Sequence, residues 1–335
     1  MVENVKLLLE ESYNIKICDM EKIKNVYKLK TNSGLKCFKV SRYKEYLVEF
    51  IVNAIDHVKQ NGFDNVVSPI LSTKGERYIE FQKGYGYLCD WIPSREAEFK
   101  NPVDLKLCVN TLGKFHIASW NFDYEKAAVG RRYYDKWAGK FNKRLKQMYE
   151  FKRIAECRIN KSDFDKLYVE GFDFLIEKAK KSIKALRSGS YHSVIEKHRK
   201  FNGLCHHDTA NHNFLIDNEL NVYLIDFDYC IVDTHLHDLS SIIIRNLKYN
   251  NWNMDTLSLI VNTYRENVEV NSSELEVIRD FIEFPQDYWQ VGLQYYIEKQ
   301  PWEEDVFNKR LSRCIDDSAY KYEFLNDNFE DILKV

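Results

Sequence analysis

The polar residues best suited to catalysis lie within one stretch of the chain, residues 204–230. This stretch contains a Cys-His-His-Asp loop, an asparagine five residues after its aspartate, and an Ile-Asp-Phe-Asp run. Carboxylate and amide oxygens suit a hard cation such as Mg²⁺, which takes one or two carboxylates and keeps its other positions for water and phosphate oxygens. The residue types therefore indicate a magnesium site that serves phosphate chemistry.

A β-hairpin would bring these polar residues together. Residues 214–225 consist of two apolar runs separated by the polar segment 217–221, a pattern typical of two short strands and a turn. Folding the hairpin about its centre, near Glu219 and Leu220, places Asn213 opposite Asp226, next to the loop that carries Asp208. We therefore expect these three side chains to converge at the open end of the hairpin.

Simpler interpretations of the same residues exist. An Asp-x-Asp pair such as Asp226 and Asp228 is common in ordinary turns, so the pair alone does not identify a metal site. Acidic residues at both ends of buried strands are costly when they have no partner, and their combination here favours a functional cluster. The chain has nine histidines and eight cysteines, but their spacing matches no zinc-binding pattern and no CxxC pair. We expect the cysteines to be reduced and mostly buried.

The surrounding elements predict an α+β architecture. Residues 1–92 combine short strand patterns with an N-terminal helix and a second helix over 44–59, which indicates a small sheet-containing lobe. Residues 93–335 are dominated by long amphipathic helical patterns, interrupted by the hairpin within 204–230. We therefore predict a β-rich N-lobe over 1–92 and a larger, mainly helical C-lobe over 93–335, joined by an extended connector near residue 90.

Composition excludes several classes of protein. The 335 residues include 49 Lys and Arg and 51 Asp and Glu, a net charge of −2, so no global basic field attracts nucleic acid or anionic lipid. No apolar run approaches the roughly 18 residues that a membrane helix needs. We expect a cytoplasmic protein with neither a nucleic-acid partner nor a membrane segment.

The 204–230 stretch resembles the catalytic and metal-binding segments of the protein-kinase-like fold in its small-molecule branch, the aminoglycoside phosphotransferase and choline kinase superfamily. That resemblance implies a two-lobed kinase-like fold with ATP and Mg²⁺ as cofactors. By position, Asp208 would be the catalytic base that accepts the proton of the acceptor hydroxyl. Asn213 and Asp226 would be metal ligands, with Asp228 beside them where protein kinases have glycine.

The resemblance also implies nucleotide-binding residues in the N-lobe. Lys39 occupies the place of the phosphate-binding lysine, whereas Lys36 should face away from the site by strand alternation and be solvated. Glu49 is the candidate acidic partner of Lys39, although it lies opposite the apolar stripe of its helix. If the connector is a kinase-type hinge, the main chain of Asp90 and Ile92 would hold the adenine.

Over its whole length the chain resembles the CotS-type spore coat proteins of that superfamily. The motifs that carry this resemblance are Gly-Leu-Lys-Cys-Phe-Lys (34–39), Tyr-Leu-Cys-Asp-Trp-Ile (87–92), Leu-Gly-Lys-Phe-His-Ile-Ala-Ser (112–119), Cys-His-His-Asp (205–208) and Ile-Asp-Phe-Asp-Tyr (225–229). The resemblance implies a protein made in the mother-cell cytoplasm that then enters the spore coat. Its expected partners are other coat proteins or a small hydroxylated acceptor.

Two departures from the superfamily pattern leave the activity open. His207 stands where the superfamily usually has glycine, and residues 20–27, where a phosphate-covering loop belongs, contain no glycine. Three hypotheses follow: a coat protein that binds Mg-ATP and transfers its γ-phosphate to a hydroxyl, a pseudokinase scaffold of the coat, and a small-molecule kinase of the aminoglycoside or choline type that is unrelated to spores.

Overall fold

The computed structural model describes residues 2–123, 128–327, 329 and 332. The chain divides into two compact units. The first unit comprises Met1–Arg132, Asn202–Val232 and Glu266–Val268, and the second comprises Tyr133–Phe201, Asp233–Arg265 and Glu269–Val335. The first unit thus contains both the N-terminal sheet and the 204–230 stretch. The lobe boundary predicted between residues 92 and 93 stays a prediction.

A five-stranded antiparallel sheet forms the N-terminal part of the first unit, in the strand order β1-β2-β3-β5-β4. Its strands are β1 (Ile17–Ile23), β2 (Val26–Thr31), β3 (Gly34–Ser41), β4 (Ile79–Phe81) and β5 (Gly84–Asp90). Two helices accompany the sheet, α1 (Val2–Tyr13) and α2 (Glu45–Gln60). Between β2 and β3 the chain turns at Gly34, whose φ of +98° is a conformation that glycine adopts without steric cost.

The two faces of the sheet have different environments. Phe38 and Leu88 point into an apolar core that also contains Leu9 of α1. Because successive side chains of a strand alternate between faces, Lys39 projects from the opposite face of β3, where its cross-strand neighbour is Tyr87. The strand pattern therefore decides on which side of the sheet the lysine ammonium lies.

Helix α3 and several short strands complete the first unit. The helix α3 (Pro102–Ala118) begins at a proline, and the side chain of Asn101 caps it by accepting a hydrogen bond from the amide of Val103. The remaining elements are β6 (Arg95–Glu96), α4 (Ala128–Arg131), β7 (Leu204–Cys205), β8 (Phe214–Ile216), β9 (Val222–Leu224) and β10 (Ile231–Val232). The strands form a three-stranded sheet in the order β6-β8-β9 and a two-stranded ladder of β7 with β10.

Within its described residues, the second unit is built from helices. They are α5 (Trp137–Cys157), α6 (Asp163–Ser188), α7 (Tyr191–His198), α8 (Leu236–Leu247), α9 (Met254–Arg265), α10 (Ser272–Glu283), α11 (Gln286–Tyr296) and α12 (Glu304–Asp327). Capping boxes start α6, at Ser162, and α10, at Asn271. In the part of the chain that the structure describes, no helix combines the length and apolarity that crossing a bilayer requires.

Candidate functional site

Strands β8 and β9 form the predicted hairpin, but with a register that differs by one residue from the expected one. Phe214 pairs with Leu224, and the amide of Ile225 donates a hydrogen bond to the carbonyl oxygen of Asn213 at 3.0 Å. The prediction that Asn213 lies directly opposite Asp226 was therefore wrong, because Asn213 lies opposite Ile225. Asp226 follows Ile225 and is the second residue after β9.

The turn of the hairpin explains this register. The loop spans five residues, 217–221, so the chain reverses about Glu219 alone. The Asp217 carboxylate accepts hydrogen bonds from the amides of Glu219 and Asn221, both at 2.9 Å, and Leu220 adopts a φ of +64°. An aspartate that bonds to nearby main-chain amides is a common way to stabilise such a turn.

The centre of the site is a contact between Lys39 and two aspartates. Its Nζ atom lies 2.6 Å from Oδ1 of Asp226 and 2.6 Å from Oδ1 of Asp228. Burial opposes the charge on Lys39, but its pKa is raised because Tyr87 and the two carboxylates surround it. Burial likewise tends to raise the pKa of Asp226, yet the lysine charge and hydrogen bonds hold it below the ordinary value. Both groups are therefore ionised at neutral pH.

The backbone of Asp226 is unusual. Its φ and ψ of 65° and 67° place it in the left-handed region, which costs a non-glycine residue about 1–2 kcal/mol. The following residues form a single 3-10 turn, Phe227–Tyr229, and the Asp226 carboxylate accepts a hydrogen bond from the Asp228 amide at 3.4 Å. Through this turn both carboxylates reach Lys39.

A cavity of about 380 Å³ adjoins this contact. Its lining includes Lys39 and Asp226 together with a mainly apolar wall. That wall is formed by Val26, Cys37, Ile55, Val66, Val67, Tyr87, Cys89, Trp91, Leu215 and Leu224. A volume of this size lies in the range of small-molecule sites, which are mostly apolar with a few polar groups.

The connector residues Asp90 and Ile92 also line the cavity. Asp90 of β5 lies opposite Lys36 of β3. In the next pair along the strands, the Trp91 amide donates a hydrogen bond to the Leu35 carbonyl oxygen at 3.1 Å, so the Asp90–Lys36 pair is not hydrogen-bonded through the main chain. Hydrogen-bonded and non-hydrogen-bonded pairs alternate in an antiparallel ladder. The main-chain groups of Asp90 consequently point away from β3.

Lys36 faces away from Lys39, as predicted, but it is not solvated. Its ammonium lies 2.5 Å from the Asp90 carboxylate, and its side chain is only 13% exposed. The prediction of a solvated lysine was wrong because the partner is 54 residues away in sequence and is brought alongside by the pairing of β3 with β5.

The structure does not bring Glu49 to Lys39. Within the described part of the chain, the ion pairs of Lys39 are those with Asp226 and Asp228. Glu49 instead lines a second cavity of about 870 Å³, together with Glu45 and Tyr78. Glu49 lies away from Lys39 because α2 buries the face that carries Val48, Ile51 and Ile55, and Glu49 is on a different face. The apolar pattern of the helix predicts this orientation.

Asn213 and Asp208 lie together beside the hairpin. Asn213 is 1% exposed, and its Nδ2 donates a hydrogen bond to the carbonyl oxygen of Asp208 at 2.9 Å, which fixes the orientation of the amide. The preceding His207 has a φ of +70°, so the loop keeps the left-handed conformation that glycine would adopt freely. A histidine at this position therefore carries a conformational cost that glycine would not.

His206 anchors the same loop from its buried side. One ring nitrogen, Nε2, is hydrogen-bonded to the carbonyl oxygen of Ile225 at 2.8 Å, and the ring packs on Phe227 with a centroid distance of 5.0 Å. Phe227 in turn packs edge-on against Phe115 of α3. These contacts tie the Asp208 loop to the turn that carries the two carboxylates.

Arg131 is a site residue that the sequence interpretation missed. Its Nη1 donates hydrogen bonds to the carbonyl oxygens of Asp228 and Cys230, both at 2.8 Å, and its guanidinium lies over the rings of Tyr43 and Phe50. Its carbonyl acceptors are almost one hundred residues away, and main-chain acceptors leave no trace in a sequence. No pattern could have identified this residue.

The donor set fits a divalent cation. A cationic group, the Lys39 ammonium, already lies between Asp226 and Asp228, whose side chains are 39% and 15% exposed. The two carboxylates and the amide oxygen of Asn213 are oxygen donors of the kind that Mg²⁺ prefers. The residues present are therefore compatible with the metal that the sequence predicts.

Comparison with known proteins identifies the family. Residues 6–328 match the model of a family described as "Spore coat putative kinase YutH". The chain belongs to this spore coat family. Spore coat protein S of Bacillus subtilis (strain 168) is 22% identical over 307 residues, which cover 90% of this chain and 86% of that protein. The predicted resemblance to spore coat proteins is confirmed.

Solved structures show that this YutH family member has an aminoglycoside phosphotransferase-like fold. An aminoglycoside phosphotransferase from Alicyclobacillus acidocaldarius subsp. acidocaldarius DSM 446 is similar with a TM-score of 0.85 at 19% identity, covering 97% of this chain and 95% of that one. Spectinomycin phosphotransferase APH(9)-Ia, in complex with ADP and spectinomycin, follows with a TM-score of 0.69 at 15% identity, covering 96% and 98%. The predicted α+β, kinase-like fold is confirmed.

Proposed function

We propose that this spore coat family member binds Mg-ATP in its first unit and transfers the γ-phosphate to a hydroxyl acceptor. The observation that carries the proposal is the Lys39 ammonium held between Asp226 and Asp228 at the edge of the cavity. A lysine beside two carboxylates, next to an apolar cavity, is suited to a ligand with a flat apolar base and a chain of anionic phosphates.

In this proposal the nucleotide base occupies the apolar cavity. The main chain of Asp90 and Ile92 would hold the adenine edge, because the Asp90 groups point away from β3. Lys39 would then turn from the carboxylates to the phosphates, and its burial makes that electrostatic contact stronger than it would be in water. The spectinomycin phosphotransferase bound to ADP shows that this fold accommodates a nucleotide.

Three side chains would hold the metal, namely Asn213, Asp226 and Asp228. A bound Mg²⁺ would neutralise charge on the phosphates. The Asn213 amide is already oriented by its hydrogen bond to Asp208, so its oxygen need not be ordered on binding. The Asp226 backbone is left-handed, and a strained backbone of this kind often occurs at functional sites.

Asp208 would position the acceptor hydroxyl and accept its proton. It is half-buried in a loop that His206 and Asn213 both fix by hydrogen bonds. Such positioning of reacting groups supplies much of the catalysis in phosphoryl transfer, where the protein has little covalent chemistry to perform. The acceptor would be a hydroxyl of a small molecule or of another coat protein.

Membership of the spore coat family supports a place in the coat, with other coat proteins as partners. A small-molecule kinase unrelated to spores is not favoured by that membership. A pseudokinase scaffold would share the fold but would not need a working nucleotide site. Binding of Mg-ATP therefore separates the scaffold from the proposed enzyme.

Isothermal titration calorimetry of ATP, with and without Mg²⁺, tests the proposal. We expect saturable binding that requires the metal and weakens at least about 100-fold in Asp226→Asn, which corresponds to about 2.7 kcal/mol. Asp64→Asn, at an exposed aspartate of the same unit, is the matched control and should bind as the wild type does. Lack of binding by folded wild-type protein would contradict the proposal and favour the scaffold.

A localisation experiment tests the coat component of the proposal. Fluorescent fusions of the wild type, Asp208→Asn and Asp226→Asn would be followed in sporulating cells. We expect all three to reach the coat, because both substitutions leave the outer surface almost unchanged. Failure of the wild-type fusion to reach the coat would contradict the proposed location.

A further inference from the structure

Two cysteines face each other across the sheet in the wall of the cavity. Cys37 of β3 is the direct cross-strand partner of Cys89 of β5. Because the Leu35–Trp91 pair two positions along is hydrogen-bonded, the Cys37–Cys89 pair is hydrogen-bonded as well, with Cα atoms about 5.5 Å apart. This separation lies within the range of about 4.4–6.8 Å found for disulfide-linked residues.

The environment of the two thiols is the second observation. The Cys89 thiol is directed at the carbonyl oxygen of Cys37, with a sulfur-to-oxygen distance of 3.5 Å. Both cysteines lie on the same face of the sheet as Lys39 and line the 380 Å³ cavity. Cys37 is half-buried and Cys89 is 8% exposed. The cavity therefore gives a small reagent access to a pair of thiols that the protein surface otherwise covers.

Electrostatics distinguishes the two thiols. A hydrogen bond with the Cys89 thiol and the charge of Lys39 lower the pKa of Cys37, although its burial has the opposite effect. The same hydrogen bond, together with burial, raises the pKa of Cys89. Cys37 is thus the better nucleophile, since the thiolate is the reactive form, and Cys89 retains its proton.

We propose that Cys37 and Cys89 form a redox-active dithiol, in which Cys37 attacks a low-molecular-weight disulfide and Cys89 resolves the product. The Cys37 thiolate attacks one sulfur of the external disulfide, forms a mixed disulfide and releases one external thiolate. Cys89 then loses its proton and attacks the sulfur of Cys37, which forms the Cys37–Cys89 bond and releases the second external thiolate. The two cysteines lose two electrons, and one external disulfide is reduced to two thiols.

Closing this disulfide would alter the cavity. Directly opposite residues of a sheet have Cβ atoms about 4.5–5.5 Å apart, whereas a disulfide needs about 3.8 Å. The disulfide would draw β3 and β5 together next to Lys39 of β3 and Asp90 of β5, and both of these residues line the cavity. We expect the oxidised protein to bind Mg-ATP about tenfold more weakly, a consequence that rests on the proposed function. The disulfide itself does not depend on that function.

Peptide mapping under non-reducing conditions tests the dithiol directly. The full chain would be incubated with glutathione disulfide and digested, and the linked peptides would be identified by mass spectrometry. We expect a Cys37–Cys89 link in the wild type and in the matched control Cys18→Ser, which removes an exposed cysteine. Absence of this link in folded wild-type protein, while exposed Cys18 or Cys157 is modified, would overturn the proposal.

Two single variants assign the roles of the cysteines. Cys89→Ser should trap glutathione on Cys37 as a stable mixed disulfide, because the resolving thiol is missing. Cys37→Ser should leave Cys89 unmodified. Stable modification of Cys89 in Cys37→Ser at the wild-type rate would overturn the assigned order. The mapping of the wild type supports or contradicts the dithiol even if a variant does not fold.

Calorimetry with reduced and oxidised wild type tests the effect on nucleotide binding. A tenfold loss of Mg-ATP affinity that dithiothreitol reverses, and that Cys37→Ser does not show, would support the regulatory consequence. Equal affinity of the two forms would overturn that consequence. If the reduced protein did not bind ATP at all, the proposed function would fail while the disulfide mapping still decided the dithiol.

Discussion

Each of the two units contains an ionic cluster, and the clusters differ in how many hydrogen bonds from the protein their carboxylates accept. In the second unit, Asp165 is completely buried and accepts hydrogen bonds from Arg158, from the Tyr296 hydroxyl at 3.0 Å and from the Ser162 amide at 3.0 Å. In the first unit, Asp226 is 39% exposed and faces a cavity. A carboxylate whose oxygens are all bonded to protein serves the fold, whereas one with open positions is available to a ligand.

The backbone around the two clusters supports the same distinction. Asp165 occupies the third position of α6 in a capping box, a relaxed helical conformation that stabilises the start of the helix. Asp226 has a left-handed backbone, which costs free energy and is retained only where the surroundings enforce it. Charged residues in contact are thus not equivalent, and their remaining hydrogen-bond capacity distinguishes a structural pair from a candidate site.

The largest expected effect on the site side of this comparison comes from Asp208→Asn. The asparagine keeps the size of the side chain but cannot accept the hydroxyl proton, so we expect turnover to fall by about 10²–10⁴-fold. The free energy of unfolding should change by less than about 1 kcal/mol, since the residue is half-buried in a loop. Steady-state assays and urea denaturation measure the two quantities. Unchanged turnover would remove the role given to Asp208.

On the structural side, Asp165→Ala should destabilise the protein by about 3–5 kcal/mol, because it leaves Arg158 and the Tyr296 hydroxyl without their acceptor. Mg-ATP affinity, measured well below the unfolding transition, should stay unchanged. Asp163→Ala is the matched control, since Asp163 is 80% exposed in the same helical turn. If Asp165→Ala lowered the free energy of unfolding by less than about 1 kcal/mol, the hydrogen bonds to Asp165 would not be needed for stability.

A second buried carboxylate of the helical unit predicts a dependence of stability on pH. Burial raises the pKa of Asp233 to about 6 from 3.8, although Trp137 donates a hydrogen bond to it. The folded state therefore binds more protons between about pH 4 and 6, and the contribution of Asp233 to stability falls as pH rises through this window. Asp233→Asn should be more stable than the wild type at pH 8 by up to about 3 kcal/mol.

The control for this titration is the same pair of proteins at pH 4, where Asp233 is almost fully protonated in the folded chain and roughly half protonated in the unfolded chain. The difference between variant and wild type should shrink towards zero there. A difference independent of pH would mean that packing, rather than ionisation of Asp233, separates the two proteins. Thermal denaturation across pH 4–8 provides the measurement.

Arg131 differs from the charged groups of both clusters because it contacts the site through main-chain carbonyl oxygens. Removing its guanidinium in Arg131→Gln frees the carbonyl groups of Asp228 and Cys230, and we expect Mg-ATP affinity to fall about tenfold, or 1.4 kcal/mol. The exposed Arg187 offers the control substitution Arg187→Gln, which should leave affinity unchanged. Calorimetry that found equal affinities for Arg131→Gln and the wild type would show that the turn holds the carboxylates without this arginine.

The smallest expected effect concerns His207. Its φ of +70° is costly for any residue with a Cβ atom, so His207→Gly should be more stable than His207→Ala by about 1 kcal/mol. The alanine variant is the matched comparison because both variants lose the imidazole. Chemical denaturation of the two proteins decides the question, and an alanine variant of equal or greater stability would show that the loop is not strained at this position.

Much of the fold and part of the candidate site could be predicted from the sequence. The strand alternation of residues 34–41 placed Lys39 and Lys36 on opposite faces, and the pattern of 214–225 predicted the hairpin. Both are local properties, since a period of two and a polar turn need no information about distant residues. The roles of Asp208, Asn213, Asp226 and Asp228 stay predictions that the proposed experiments test.

The tertiary structure alone decided which groups meet. It set the hairpin register about Glu219 and paired Lys39 with the two aspartates rather than with Glu49. It also brought Arg131 to main-chain carbonyls and Cys37 opposite Cys89. Side-chain identity and local periodicity are written in the sequence, but the partner of a charge or a thiol depends on strand pairing and chain reversal over tens of residues, which only the packed fold determines.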